Sequence, residues 1–254
     1  MPPTVLVIAN SYPNRYKPYA GKYVERHVML HRNDGWRVIT LTPADSRNGF
    51  LRSLWKYGKL IPSVLRTALG ENFDLVHAHW ELPSGLLGTI VSRLRGVPLV
   101  VTSHGAFTDN FSSRPWLVRR LVRIVLRSAD RIITVGQYQK RAVENIANLP
   151  GKRVQWIPMG VWMEDVPPSK QIARERLDID NEKKIILFVG NLLWLKGPDL
   201  LVQAAAQLLR NGYRFTLIIG GQREQLTSLR HLVNELRIDE NVRFLGGVLP
   251  EDVK

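Results

Sequence analysis

Cysteine is missing from all 254 residues, which excludes disulfides, thiol catalysis and thiolate-bound zinc or iron–sulfur clusters together. Long apolar runs are missing too. No window approaches the roughly 18 apolar residues of a membrane span, and the early run Val5-Leu6-Val7-Ile8-Ala9 is too short for a signal-peptide core and has no basic segment ahead of it. These absences predict a cytoplasmic chain. Walker A and Gly-x-Gly-x-x-Gly patterns are also lacking, so the common nucleotide signatures do not apply. Aromatic residues contribute only 8%, yet 44% hydrophobic and 23% charged residues give an ordinary globular composition that can fill a sizeable core.

Acidic side chains are in short supply, with 22 Asp and Glu against 36 Lys and Arg and a net charge of +14. The excess is uneven. Residues 1–170 carry 24 basic and 11 acidic side chains, net +13, whereas residues 171–254 carry 12 and 11, net +1. Such a field favours an anionic partner: nucleic acid, an anionic lipid surface or a phosphorylated substrate. No recognised nucleic-acid module is present, and charge alone attracts nucleic acid without reading its sequence, so sequence-specific nucleic-acid binding is not expected.

Short apolar, β-rich runs alternate with helical patterns. Strands are predicted at Thr4–Asn10, Arg37–Thr42, Leu75–Ala78, Leu99–Ser103, Arg131–Val135 and Val154–Ile157. Helices fall between them at Gly21–Asp34, Phe50–Leu69, Ser84–Leu94, Pro115–Arg127 and Gln137–Ala147, with Gly58 and Pro62 expected to break or kink the second. This alternation predicts an α/β fold with a parallel sheet covered on both faces. The periodicity stops near Met159–Ser169, where Gly160, Asp165, Pro167 and Pro168 read as a linker. A second series follows, with strands at Lys184–Val189, Phe215–Gly220 and Val242–Leu245 and helices near Pro198–Arg210 and Glu224–Leu236. The expected organisation is an N-terminal Rossmann-like domain over 1–158, a linker over 159–170 and an incomplete second domain over 171–254. In a doubly wound sheet the first strand is central, so the Ile185–Val189 strand would keep an unpartnered apolar edge, and the chain reads as a fragment, a split product or a truncation.

Anions bind in such sheets where strands end and helix N-termini converge. Two loops fit: Asn10 to Gly21, and Gly190-Asn191-Leu192-Leu193-Trp194-Leu195-Lys196-Gly197 ahead of Pro198. A plain strand-to-helix turn would use the same residues. His77 and His79 flank Ala78 at one strand end, and His104 follows another before Gly105. A His-x-His pair can bind metal, but no carboxylates accompany it at ligand spacing, so no metal is expected. His77 reads as a packed core residue, His104 as an imidazole free at a cleft edge, and His27 and His31, four apart on one helix, as solvent-exposed. At about 100° per residue, Arg119, Arg120, Arg123 and Arg127 share one arc with Trp116, a pattern suited to an anionic bilayer surface and equally to a solvated helix face. A second basic stretch, Arg47 to Arg66, allows the same two readings.

In combination these segments resemble the GT-B nucleotide-sugar glycosyltransferases, most closely the large retaining family 4. The resemblance rests on Phe73–His79, Val97–Gly105, Ser128–Val135, Ile157–Val161, Leu187–Leu192 with Lys196-Gly197, and Val242–Gly246, in order along essentially the whole chain. It implies two Rossmann-like domains, the first binding acceptor and the second the nucleotide-sugar donor, with chemistry in the cleft between them. Lys196, with Gly190 and Asn191, would meet the donor diphosphate, Gly21 would let backbone approach it, and His104 would stand beside the transferred sugar. His79 and Glu81 are the acceptor-side candidates. No cofactor or metal is implied, because a fixed lysine and backbone amides can stabilise the departing diphosphate. The sequence departs from the family at Asn191, where many members have arginine, and at Ala20-Gly21, where many have a glycine pair. The family's Glu, seven residues, Glu motif is not found in these 254 residues, so about half the donor site is expected to be missing and the chain alone inactive. The implied function is retaining sugar transfer to a glycan or lipid-linked acceptor in cell-envelope synthesis, at the inner face of the membrane. A nucleotide-sugar epimerase on the same scaffold and a non-catalytic binding subunit are the alternatives, and a split gene would make the missing C-terminal half a partner.

Overall fold

A computed structural model describes residues 2–15, 18, 20–43, 50–149, 153–160, 168–180, 183–222 and 225–248. The chain divides into two compact units, Met1–Val161 and Trp162–Lys254. The first contains β1 (Thr4–Ala9), α1 (Lys22–Asn33), β2 (Arg37–Leu41), α2 (Phe50–Gly70), β3 (Leu75–His79), α3 (Leu86–Arg95), β4 (Leu99–Ser103), α4 (Trp116–Ser128), β5 (Arg131–Thr134), α5 (Gln137–Ala147) and β6 (Val154–Trp156). Its strands pair in parallel in the order β2-β1-β3-β4-β5-β6.

Alternation along β1 sorts the two faces of this sheet. Leu6 and Ile8 point into a core completed by Val64 and Ala68 of α2, Val91 of α3, Val122, Val125 and Leu126 of α4, and Val143 of α5. Val5, Val7 and Ala9 point the other way, against Val24 and Val28 of α1. On β3 the same alternation sends Val76 and Ala78 to the first core and leaves His77 and His79 on the α1 side. Burial on both faces is what a parallel sheet requires.

The expected break in α2 does not occur. Pro62 lies inside a continuous helix, because it removes only the bond to the carbonyl of Gly58, and both residues are exposed, where water can take that carbonyl. Leu60, Val64 and Ala68 form one buried stripe across the proline and anchor both sides. Arg47 and the side chains of residues 50–56, from the second basic stretch, lie outside the described residues.

The second unit contains α6 (Lys170–Arg176), β7 (Ile185–Val189), α7 (Pro198–Arg210), β8 (Thr216–Gly220), α8 (Leu226–Glu235) and β9 (Val242–Gly246), with the sheet order β7-β8-β9. Phe188, Leu217, Ile219 and Phe244 share a core with Val202, Ala205 and Ala206 of α7 and Leu229 and Val233 of α8. On the opposite face Leu187 and Val189 of β7 are 60% and 41% exposed. Among the described residues β7 pairs only with β8, so its outer edge is open. Most of the segment read as a linker, 161–167, lies outside the described residues. Its end was missed as structure: Ser169 caps α6 by accepting from the Ile172 backbone N–H at 3.3 Å.

Candidate functional site

At the carboxyl end of the first sheet a row of rings fills the space between the strands and α1. On a helical wheel His27 and His31 lie in the same arc as the buried Val24 and Val28. Both histidines are half-buried, which corrects the expectation of solvent exposure. The sheet opposite presents His77 and His79 instead of apolar side chains, so this mixed face of α1 meets them. His77 is buried as expected, with Nε2 2.8 Å from Thr102 Oγ1. Its ring stacks on His79, centroids 4.4 Å apart, and His27 packs with its centroid 5.7 Å from that of His79.

His104 closes the row. Its Nε2 stands 3.1 Å from His79 Nδ1, and its ring packs 4.7 Å from Trp80 and 4.9 Å from Tyr23. The imidazole is therefore held on three sides, where the sequence suggested a free ring. Gly105 follows with φ +90, a backbone conformation that residues with a Cβ rarely adopt, so this turn favours glycine. Desolvation by burial pushes His104 down to about 4 and His77 down to about 3, with neighbouring histidines adding repulsion. Burial holds His79 well below the ordinary imidazole value. The row is neutral at pH 7.

His79 and Glu81, expected at the acceptor, are both fully buried and lie beneath the surface. Burial raises the Glu81 carboxyl above its ordinary value, and the Ser103 hydroxyl partly offsets this. Both carboxyl oxygens are shut off from solvent, so the neutral acid is the form this pocket favours. Between His79 and Glu81, Trp80 adopts φ 74, ψ 153, outside the regions a tryptophan ordinarily occupies. That backbone turns the Trp80 ring toward Tyr23 and His104.

Gly21 sits at the start of α1 with φ +66, and a Cβ there would overlap the Ser11 carbonyl. Among the described residues no side chain caps this helix start, so backbone N–H groups are left for another acceptor.

The second unit builds a comparable end. Gly190 leaves β7 with its N–H bonded to the Gly220 carbonyl at 2.9 Å. A Cβ on Gly221 would overlap the Gly190 oxygen, so the ends of β7 and β8 touch through bare backbone. Buried Leu192 pins the loop, its N–H donating to the Gln222 carbonyl. Trp194–Lys196 then makes one tight turn, Gly197 takes φ 64, and Pro198 opens α7. Asn191 and Lys196 are exposed at this helix start, where the helix dipole adds a partial positive charge. Asp199 in the first turn of α7 offsets part of that charge. Gly190, Asn191 and Lys196 are thus gathered in one loop, while Gly21, His79, Glu81 and His104 belong to the other unit.

The basic face of α4 is not as free as its wheel suggested. Arg123 and Arg127 donate through Nε to the Ile146 and Ala147 carbonyls at 3.3 and 3.0 Å, closing the C-terminal end of α5. Arg123 also lies over the Phe111 ring at 5.1 Å. Arg119 Nε is buried without a partner among the described residues, and Arg120 is exposed. Trp116 and Leu117, 65% and 51% exposed, complete the outer face.

Sequence reading did not find Tyr23, Trp80 or Ser103. Trp80 had a signal in its position beside His79, at the end of a strand. No group of three His, Asp or Glu among the described residues is placed to hold a metal ion, and no described helix is long and apolar enough to cross a membrane.

Two parallel-sheet α/β units, each with its polar residues at the carboxyl ends of the strands, define the GT-B class of fold. The model of the glycosyl transferase 4-like domain matches residues 4–160, and that of the group 1 glycosyl transferases matches residues 169–254. The chain belongs to this glycosyl transferase family. It is 34% identical over 203 residues to the D-inositol 3-phosphate glycosyltransferase of Frankia alni, covering 71% of this chain and 49% of that protein. The enzyme of the same name from Acidothermus cellulolyticus is 30% identical over 198 residues, covering 70% of this chain and 44% of that one. The chain thus spans about half the length of the curated relatives it matches. In structure it resembles Anabaena HepE in complex with UDP and glucose, with a TM-score of 0.71 at 17% identity over 98% of this chain and 70% of that one. A Rickettsia africae glycosyltransferase gives a TM-score of 0.71 at 16% identity over 99% and 70%.

Proposed function

We propose that this chain supplies the acceptor-side domain and the first part of the donor domain of a retaining glycosyltransferase that uses a nucleotide-sugar. The observation that carries this reading is the Gly190–Gly197 loop, where touching backbone, the start of α7 and an exposed lysine meet at the strand ends. Such an arrangement holds phosphate oxygens and can stabilise charge that builds on a departing diphosphate. His104, neutral and held by rings, orients the sugar. UDP is the first nucleotide to test, since HepE was crystallised with it. A chain that includes the acidic Glu-x7-Glu segment, given UDP-sugars and candidate acceptors, should release free UDP together with glycosylated product. An isomerised nucleotide-sugar instead would make the protein an epimerase, and no turnover with any donor would favour a binding subunit.

The acceptor is anionic or lipid-linked in this reading. The +13 excess of residues 1–170 and the exposed Trp116, Leu117 and Arg120 support contact with an anionic membrane. Attraction of this kind fades as salt shortens the Debye length to about 8 Å at physiological strength. Flotation should recover the protein with anionic vesicles and not with neutral ones, and less of it at high salt. Arg120→Glu with Trp116→Ala should reduce recovery without altering the fold, because neither residue has a hydrogen-bond or ion-pair partner among the described residues. Equal flotation with both vesicle types ends the membrane reading.

A further inference from the structure

We infer that His79 is a positioning residue whose buried ring fixes the proton of His104 on Nδ1, so that His104 presents an N–H donor, and not a bare nitrogen, to its ligand. The argument starts from the two nitrogens of His79. Nδ1 faces His104 Nε2 at 3.1 Å, while Nε2 is buried and has no hydrogen-bond partner. His79 itself is 0% exposed, so bulk water does not reach that second nitrogen.

A neutral imidazole carries one N–H and one lone pair. If the His79 proton sat on Nε2, a buried donor would be stranded, and stranded N–H groups are the rarer and costlier failure. With the proton on Nδ1, the donor is used and only a lone pair goes without a partner. His79 Nδ1–H then donates to His104 Nε2. That nitrogen must be bare to accept, so the single proton of His104 goes to Nδ1. Among the described residues no hydrogen bond engages His104 Nδ1. The rings of Tyr23 and Trp80 hold the imidazole so that it cannot simply turn over and exchange its nitrogens. Burial keeps both rings neutral at pH 7, as this proton count requires.

The inference rests on the transferase reading only in naming the ligand. In that reading the Nδ1–H meets an acceptor oxygen of the transferred sugar, a hydroxyl or the ring oxygen.

Tautomers are visible by NMR, since a bare imidazole nitrogen resonates far downfield of a protonated one. The chain labelled with 15N-histidine should show His104 protonated on Nδ1 and bare on Nε2 at pH 7, its signals assigned by their loss in His104→Asn. A proton on Nε2 with a bare Nδ1 overturns the inference. His79→Asp offers an acceptor in the same place and should draw a proton onto His104 Nε2. A folded His79→Asp whose His104 keeps a bare Nε2 would show that His79 does not set the tautomer, which also overturns it. Should that variant fail to fold, the wild-type spectrum decides alone. An Nδ1–H on His104, together with no sugar transfer by a chain that carries the acidic segment, would refute the transferase reading and leave this inference standing.

Discussion

Between pH 7 and pH 5 the first unit should lose stability on the order of 6 kcal/mol, enough to unfold an ordinary domain. Three buried imidazoles cause this. His77, His79 and His104 all have folded values below the ordinary 6.5, two of them near 3 and 4. A lowered value means that the folded state prefers the neutral ring. Stability is therefore intact above about 6.5 and is lost as pH falls, because the unfolded chain takes up protons that the folded chain refuses. Each such group costs about 1.4 kcal/mol per pH unit in this window, and the loss continues down to the folded values. Glu81 acts in the opposite sense, since its raised value favours the folded state at lower pH, but it is one group against these three, and His27 and His31, also lowered by burial, add to the loss. Urea denaturation at pH 7, 6 and 5, followed by tryptophan fluorescence, measures the change. A midpoint that does not move across this range would mean that the rings are hydrated and that the row is not the packed core described above.

Much of this arrangement was legible in the sequence, and the parts that were not have physical reasons. The continuous apolar run Val5–Ala9 fixed β1, and the helix over Gln137–Ala147 has the predicted bounds, with Gly136 before it and a left-handed Asn148 after it. The two loops followed from the strand ends and helix starts on either side of them. The histidine row did not. Seeing His27 and His31 on one helix face gives no indication that the opposing strand carries histidine on that same side, since the pairing of α1 with β3 is a tertiary fact. The arginines of α4 were misjudged for a related reason. A wheel shows which residues share a face, but the carbonyls of α5 that occupy Arg123 and Arg127 belong to another element. In Pro62 a local rule was applied without knowing that the affected carbonyl would be in water.

The second large effect concerns the two residues on which the transferase reading depends, tested in a chain that carries the acidic segment. On that reading Lys196→Ala should weaken nucleotide binding and slow turnover, because the ammonium would meet the diphosphate before and during bond cleavage, with more force as charge accumulates on the leaving group. Charged hydrogen bonds are worth about 1.5–3 kcal/mol, so catalytic efficiency should fall by about one to two decades. His104→Ala should lower turnover and leave the affinity for the free nucleoside diphosphate nearly unchanged, since its ring addresses the sugar. Calorimetry with UDP and a nucleotide-release assay separate the two effects. If Lys196→Ala binds and turns over like the parent, the lysine is only part of a strand-to-helix turn. A fully active His104→Ala would remove that ring from the reaction.

The positive φ of Trp80 limits how this protein can be improved. A backbone held in a sparsely populated region stores about 1–3 kcal/mol, and glycine at that position would release it. Glycine would also remove a ring that is 9% exposed and touches Tyr23 and His104, and deleting a buried tryptophan costs about 3–5 kcal/mol. The second quantity exceeds the first, so the strain persists as the lesser of two losses. A search for thermostable variants should therefore find position 80 closed: relaxing the chain there loosens the very wall that keeps the His104 imidazole still.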